Sequence, residues 1–158
     1  VALTILAFVF LQIFVGGLVA GLRAGLVNNT WPLMDGVFIP PADVLWRLEP
    51  FWTNLVDNPV TVQFFHRMIA YLIFALALGH LLDAWMNAEG RARRGAAILF
   101  GHVLMQIALG IATLVLVEPP FAGNPHLALA LAHQAIGMAV LAVATLQARR
   151  LVQDVITN

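Results

Sequence analysis

The chain contains no cysteine and no lysine, and a single tyrosine. Without cysteine there is no disulfide, iron–sulfur cluster, thiolate zinc site or thiol catalysis within these residues. Charge is scarce as well. Only 10% of the 158 residues are charged, against about 25% in an average soluble domain. The net charge is zero, so the basic footprint of a nucleic-acid partner is missing. What is present is apolar: 61% of the residues are hydrophobic. This composition predicts an integral membrane protein of one domain, residues 1–158. All eight basic residues are arginine, which together with the Ala, Leu, Val and Gly richness suggests a GC-rich bacterial genome.

A helix needs about 20 apolar residues to cross the hydrocarbon core. Four segments qualify, at about 1–22, 62–85, 96–117 and 127–146, and they predict an all-α four-helix transmembrane bundle. Val1 lies already inside an apolar run with no initiator methionine, so further residues are expected before it. The connection 23–61 holds five prolines and Trp31, Trp46 and Trp52. Such a loop should lie along the membrane interface, with a short helix near Asp43–Trp46. The second connection, Met86–Gly95, carries Arg91, Arg93 and Arg94, and the pair Arg149/Arg150 follows the fourth span. Arginine clusters mark the cytoplasmic side. The long loop and the Glu118–His126 loop are then periplasmic, and the expected location is the bacterial inner membrane.

Ionisable groups inside a bilayer are expensive and point to function. His66 and His133 lie at similar depths from the periplasmic side, on two spans that run in the same direction. Residues one helical turn away are small, Ala70 after His66 and Gly137 after His133. Small neighbours leave room for a flat macrocycle, and two imidazoles can fill both axial positions of a haem iron. The bland alternative is a pair of buried neutral histidines bonded to carbonyls, with the small residues serving helix packing. Arg67 and Arg23 sit near the same boundary. They either snorkel to headgroups or bind haem propionates through their forked donors. His80 lies about four turns after His66 and with His102 could form a second pair; the position on the fourth span that would match His80 is Gln147, no haem ligand. His80 and His102 therefore read as interfacial residues bonded to headgroups or backbone, and His126 as a helix-start or surface residue. Gly17, Gly21 and Gly25 form a stripe suited to close helix packing. The catalytic residues are not identifiable from the sequence.

Three stretches, Gly16–Gly36 (GGLVAGLRAGLVNNTWPLMDG), Val62–Tyr71 (VQFFHRMIAY) and Leu131–Met138 (LAHQAIGM), together resemble haem A synthase, the membrane enzyme that converts haem O into haem A. The resemblance is to the C-terminal half of that family, whose members have eight transmembrane helices from a duplicated four-helix unit. It implies that His66 and His133 hold a haem b cofactor. It also places the haem O substrate and a catalytic glutamate in an N-terminal half absent from these residues. The implied reaction is stepwise oxidation of a haem methyl group to a formyl group, with water as the oxygen source and electrons leaving through the cofactor. A homo-oligomer or a contact with haem O synthase, besides the lipid bilayer, would be the partners. The cysteine pair of some family members is missing, and Phe65 stands where relatives often have a small polar residue.

Two other readings compete. A free-standing di-haem b-type electron-transfer cytochrome would use His80 and His102 as well. A non-redox bundle, a scaffold or part of a transporter, would hold no cofactor and point its histidines at different helices.

Overall fold

Asn58 and Pro59 show how the sequence starts its longest well-described helix. Proline is favoured at the first helical position because its missing N–H needs no partner there. The Asn58 carboxamide oxygen accepts from Val60 N at 3.1 Å and satisfies one of the free donors that follow. This helix is the fourth in a computed structural model that describes residues 1–116 and 125–157. The helices are α1 (Ala2–Gly21), α2 (Ala42–Leu45), α3 (Asn54–Asp57), α4 (Pro59–Asn87), α5 (Gly90–Val115) and α6 (Pro125–Thr157). Among them α1, α4, α5 and α6 are long and apolar enough to cross a membrane. The expected all-α bundle of four membrane helices is what the chain forms.

The boundaries differ from the expected ones where side chains extend a helix beyond its apolar run. The capped start places α4 three residues earlier than hydropathy suggests. The arginine cluster is not in a loop but in the first turns of α5, leaving Ala88 and Glu89 as the connection. Arg93 explains how so short a link closes. Its Nη2 donates to Trp85 O at 2.9 Å and its Nε to Ala88 O at 3.2 Å, and its guanidinium lies 5.1 Å from the Trp85 ring centre. A cation at the last carbonyls of α4 also suits the helix dipole. The 118–126 connection expected between the third and fourth spans lies outside the described residues, apart from the start of α6 at Pro125.

Around the bundle, α1 packs against α4 and α6, and α5 packs against the same two helices. Hence α4 and α6 are diagonal neighbours, as are α1 and α5. Each diagonal pair runs in one direction, so a pseudo-two-fold axis passes down the middle and relates α1 to α5 and α4 to α6. The core obeys it. Ile5 and Val9 correspond to Leu99 and Val103, and Ile73 and Ala77 correspond to Val140 and Ala144, each pair at a constant offset in sequence. All are buried in one cluster.

The long connection is a folded cap rather than a bare strap. The expected short helix is present as α2, and α3 adds another turn. A row of buried polar side chains along α3 and the start of α4 holds it down. Asn54 donates to Leu48 O at 2.8 Å and Phe51 O at 2.9 Å, and accepts from Leu48 N. Asn58 donates to Val44 O at 2.9 Å and to Leu45 O at 3.2 Å, while the Thr61 hydroxyl donates to Leu45 O. Met34, Leu45 and Val60 close a small apolar core beneath the cap. Trp46 stacks on Phe51 with ring centres 4.6 Å apart, whereas Trp31 and Trp52 stay exposed.

Candidate functional site

Each of the two singled-out histidines meets a glutamine from the neighbouring helix. On α4, His66 Nε2 receives the Gln12 amide of α1 at 3.3 Å, and the same amide nitrogen donates to His66 O at 3.1 Å. On α6, His133 Nε2 receives the Gln106 amide of α5 at 3.3 Å. Both contacts obey the pseudo-two-fold relation. His66 and His133 each lie about two turns inside their helices, a closer match in depth than the hydropathy boundaries suggest.

The hydrogen bonds define which ring nitrogen carries the lone pair. Gln12 Nε2 bonds a backbone carbonyl, so it is the amide nitrogen and a donor; His66 Nε2 must accept. His133 Nδ1 donates to Gln106 O at 3.1 Å, which leaves His133 Nε2 as the acceptor. Unprotonated Nε2, with Nδ1–H turned to a backbone carbonyl, is the usual arrangement of a metal-binding imidazole.

Glycine lies beneath each ring. A Cβ on Gly16 would stand 3.1 Å from His66 Cε1, and a Cβ on Gly110 would stand 2.9 Å from His133 Cε1. Both rings are seated against bare backbone one turn beyond the glutamine. Just below them a small, half-open cleft of about 50 Å³ is bounded by Gln12, Ile13, Ala70, Gln106, Ile107 and Gly137, with valine and isoleucine also lining it. These walls come in symmetry pairs from all four long helices. Oε1 of Gln12 and Oε1 of Gln106 are buried there without a hydrogen-bond partner among the described residues.

The match to known proteins follows this geometry. The profile of the COX15-CtaA family, cytochrome oxidase assembly proteins, matches residues 1–145. The chain belongs to that family. It is 51% identical over 150 residues to a protein named Heme A synthase from Rhodopseudomonas palustris strain HaA2, covering 95% of this chain and 39% of the relative. A Bradyrhizobium diazoefficiens protein of the same name is 49% identical over 147 residues, covering 93% of this chain and 39% of its own length. One from Methylobacterium radiotolerans is 50% identical over 148 residues, covering 94% and 38%. The chain thus spans about two-fifths of the curated relatives it matches. No solved structure matches it significantly.

In this cytochrome oxidase assembly family member, the glutamines and the glycines beneath the rings are site residues that the sequence alone does not single out. A signal exists nonetheless: Gln12-Ile13 with Gly16 four residues after Gln12, and Gln106-Ile107 with Gly110 four residues after Gln106, each glutamine an uncommon polar residue in an apolar run. The glycine stripe expected to serve close packing does not do so. A Cβ at Gly17 or Gly21 would meet nothing, and one at Gly25 would only touch Leu114. Among the described residues Gly17 and Gly21 approach no other helix, Gly25 makes only an ordinary contact with α5, and Gly16, one residue off the stripe, makes the close approach.

Arg67 does not snorkel. It is 8% exposed and lies under the cap, with Nη2 donating to Asn28 O at 3.0 Å and Nη1 to Leu33 O at 3.4 Å. Gln63, one turn earlier, donates to the same Asn28 O at 2.9 Å. Arg67 Nε, Gln63 Oε1 and Asn28 Oδ1 are buried with no partner among the described residues. Arg23 is exposed at the end of α1, where its left-handed backbone (φ 51°) breaks the helix.

The remaining histidines separate. His80 is buried and bonds a side chain rather than a headgroup or the backbone: its Nε2 receives the Gln147 amide of α6 at 3.2 Å. Gln147, the residue that matches His80 in position and offers no haem ligand, is its hydrogen-bonding mate across the bundle. Ala77, Ala144 and Ala148 are buried at this level of the two helices, and Gln147 lies so tightly on Gly95 that a Cβ there would force its amide to shift. His102 bonds Ile98 O of its own helix at 2.8 Å, as expected of a backbone-satisfied residue. The side chain of His126 lies outside the described residues.

Gln147→Leu should destabilise the bundle by about 1–3 kcal/mol, because His80 Nε2 is left buried and unpaired. His80→Leu combined with Gln147→Leu should recover most of the loss. Thermal unfolding in detergent measures both; a double variant as unstable as the single one would contradict the pairing.

Proposed function

We propose that this chain is the cofactor-binding part of a haem A synthase, with His66 and His133 as the axial ligands of one haem b. The observation that carries this reading is the symmetric site itself. Two imidazoles on diagonal helices present Nε2 lone pairs above one apolar cleft, each seated on glycine and met only by a replaceable amide. Small residues one turn below, Ala70 and Gly137, line that cleft, and the Gln106 amide packs against Gly137. Two histidine nitrogens would hold the group, a ligand set that would suit electron transfer. When bound, haem b supplies one-electron redox chemistry.

The chain's own residues then have distinct tasks. His66 and His133 bind the iron. Gln12 and Gln106 hold the two rings in the correct tautomer until then. The apolar walls exclude water from the site. Arg67, buried beside His66 with its Nε unpartnered among the described residues, would receive a propionate, with Arg23 near the same edge. The activity assigned is oxidation of the haem O methyl group to the formyl group of haem A. Haem O and the catalytic acid belong to the length of the relatives that this chain does not span. The site lies towards the end that carries the long cap, which the arginine distribution assigns to the periplasm.

The chain purified in detergent from haem-replete membranes should show a six-coordinate, low-spin b-type spectrum with one haem per chain by pyridine haemochrome assay. The low-spin signal should be lost in His66→Ala and in His133→Ala. A colourless wild-type protein would refute the reading, and two haems per chain would favour the di-haem carrier instead.

A further inference from the structure

The pseudo-two-fold axis makes the two ligand sites a controlled comparison: same residue types, same helix register, same glutamine and glycine partners. They differ at Nδ1. His133 Nδ1 donates to Gln106 O at 3.1 Å. The related bond from His66 to Gln12 O is not made, and His66 Nδ1 is buried without a partner among the described residues. The Gln12 amide reaches back to His66 O instead. The seat differs in the same sense, with Gly110 closer beneath His133 than Gly16 is beneath His66. The chain neighbours differ too: Arg67 puts a buried positive charge beside His66, where α6 has the neutral, exposed Gln134.

From this asymmetry we infer that His133 is the anchoring axial ligand and His66 the exchangeable one. The inference rests on the haem-binding reading above. An imidazole whose Nδ1–H is hydrogen-bonded to a carbonyl is the stronger donor at Nε2 and is held in orientation; loss of such an outer partner typically lowers metal affinity about 10–100-fold. His66 has neither advantage. A small external ligand such as carbon monoxide should therefore enter on the α1/α4 side, displacing His66 and leaving His133 bound. The same order implies that haem is captured first by His133 and locked by His66 afterwards.

The test compares wild type, His66→Ala and His133→Ala, each purified in detergent from haem-replete membranes, with helix content checked by circular dichroism. His66→Ala should retain haem as a five-coordinate, high-spin species that binds carbon monoxide readily and returns to low spin on addition of imidazole. His133→Ala should hold at least about tenfold less haem. Equal retention in the two variants, or retention in the reverse order, overturns the inference while leaving bis-histidine binding intact. Absence of haem from the wild type overturns the underlying reading. Should His133→Ala fail to accumulate, the carbon monoxide adduct of ferrous wild type decides. Its C–O stretching frequency should match that of the His66→Ala adduct, since His133 would stand opposite the gas in both, and a mismatch overturns the inference.

Discussion

Gly110→Ala is expected to leave the helices folded and to strip most of the haem from the chain. An alanine Cβ would lie 2.9 Å from His133 Cε1, whereas carbon atoms rest at about 3.5–4.0 Å. Gly110 lies more than a turn inside the end of α5, where backbone cannot move far, so the imidazole must. Rotating a side chain away is cheap for the fold, and alanine is intrinsically the better helix former by about 1 kcal/mol. For a ligand the same movement is severe, because binding geometry tolerates only about 0.5 Å. Haem occupancy should fall at least about tenfold, equivalent to about 1.4 kcal/mol, with unchanged helix content by circular dichroism. Gly16→Ala, with 3.1 Å to His66 Cε1, should be milder. A Gly110→Ala protein with full haem content would show that the ring is not seated there.

Asn58→Ala should release the cap while the four long helices persist. The side chain caps α4 through Val60 N and donates to Val44 O, Leu45 O and Asn54 Oδ1. Not all of these partners are stranded by its loss. Thr61 still serves Leu45 O, and Leu48 N still serves Asn54 Oδ1. Val44 O and Val60 N are left without their bonds. Loss of the helix cap costs about 1 kcal/mol and a buried orphaned carbonyl about 1–3 kcal/mol, together about 3 kcal/mol. If cleavage follows local opening, that is roughly a hundredfold faster tryptic cut at the exposed Arg47. Cleavage at the wild-type rate would mean that the cap is held by its apolar contacts alone. Arg67 and Gln63, which flank His66, bond the same cap at Asn28 O, so loosening it should also disturb the site.

Much of the site is legible in the amino-acid sequence. A histidine in an apolar run stands out because burying an ionisable group is costly, and two at matched depth suggest a common ligand. The short helix in the cap is legible from its proline-bounded position. His80 is less so: a side-chain partner replaces the expected headgroup or backbone one, since Gln147 is remote in sequence. Arg67 follows the same pattern. A single chain cannot reveal that loop carbonyls will be waiting above an arginine, and snorkelling is the default only when they are not.

The sequence by itself determined that this chain has four segments long and apolar enough to cross a membrane, which family it resembles and which two histidines lie at matched depth, because hydropathy and local motifs act over a few turns. Only the tertiary structure decided what surrounds those imidazoles. The diagonal placement of α4 and α6, the glutamine on each Nε2, the glycine beneath each ring and the unequal treatment of Nδ1 all depend on atoms from separate helices. Their distances are set by how the apolar faces interlock, and no spacing along one helix encodes them.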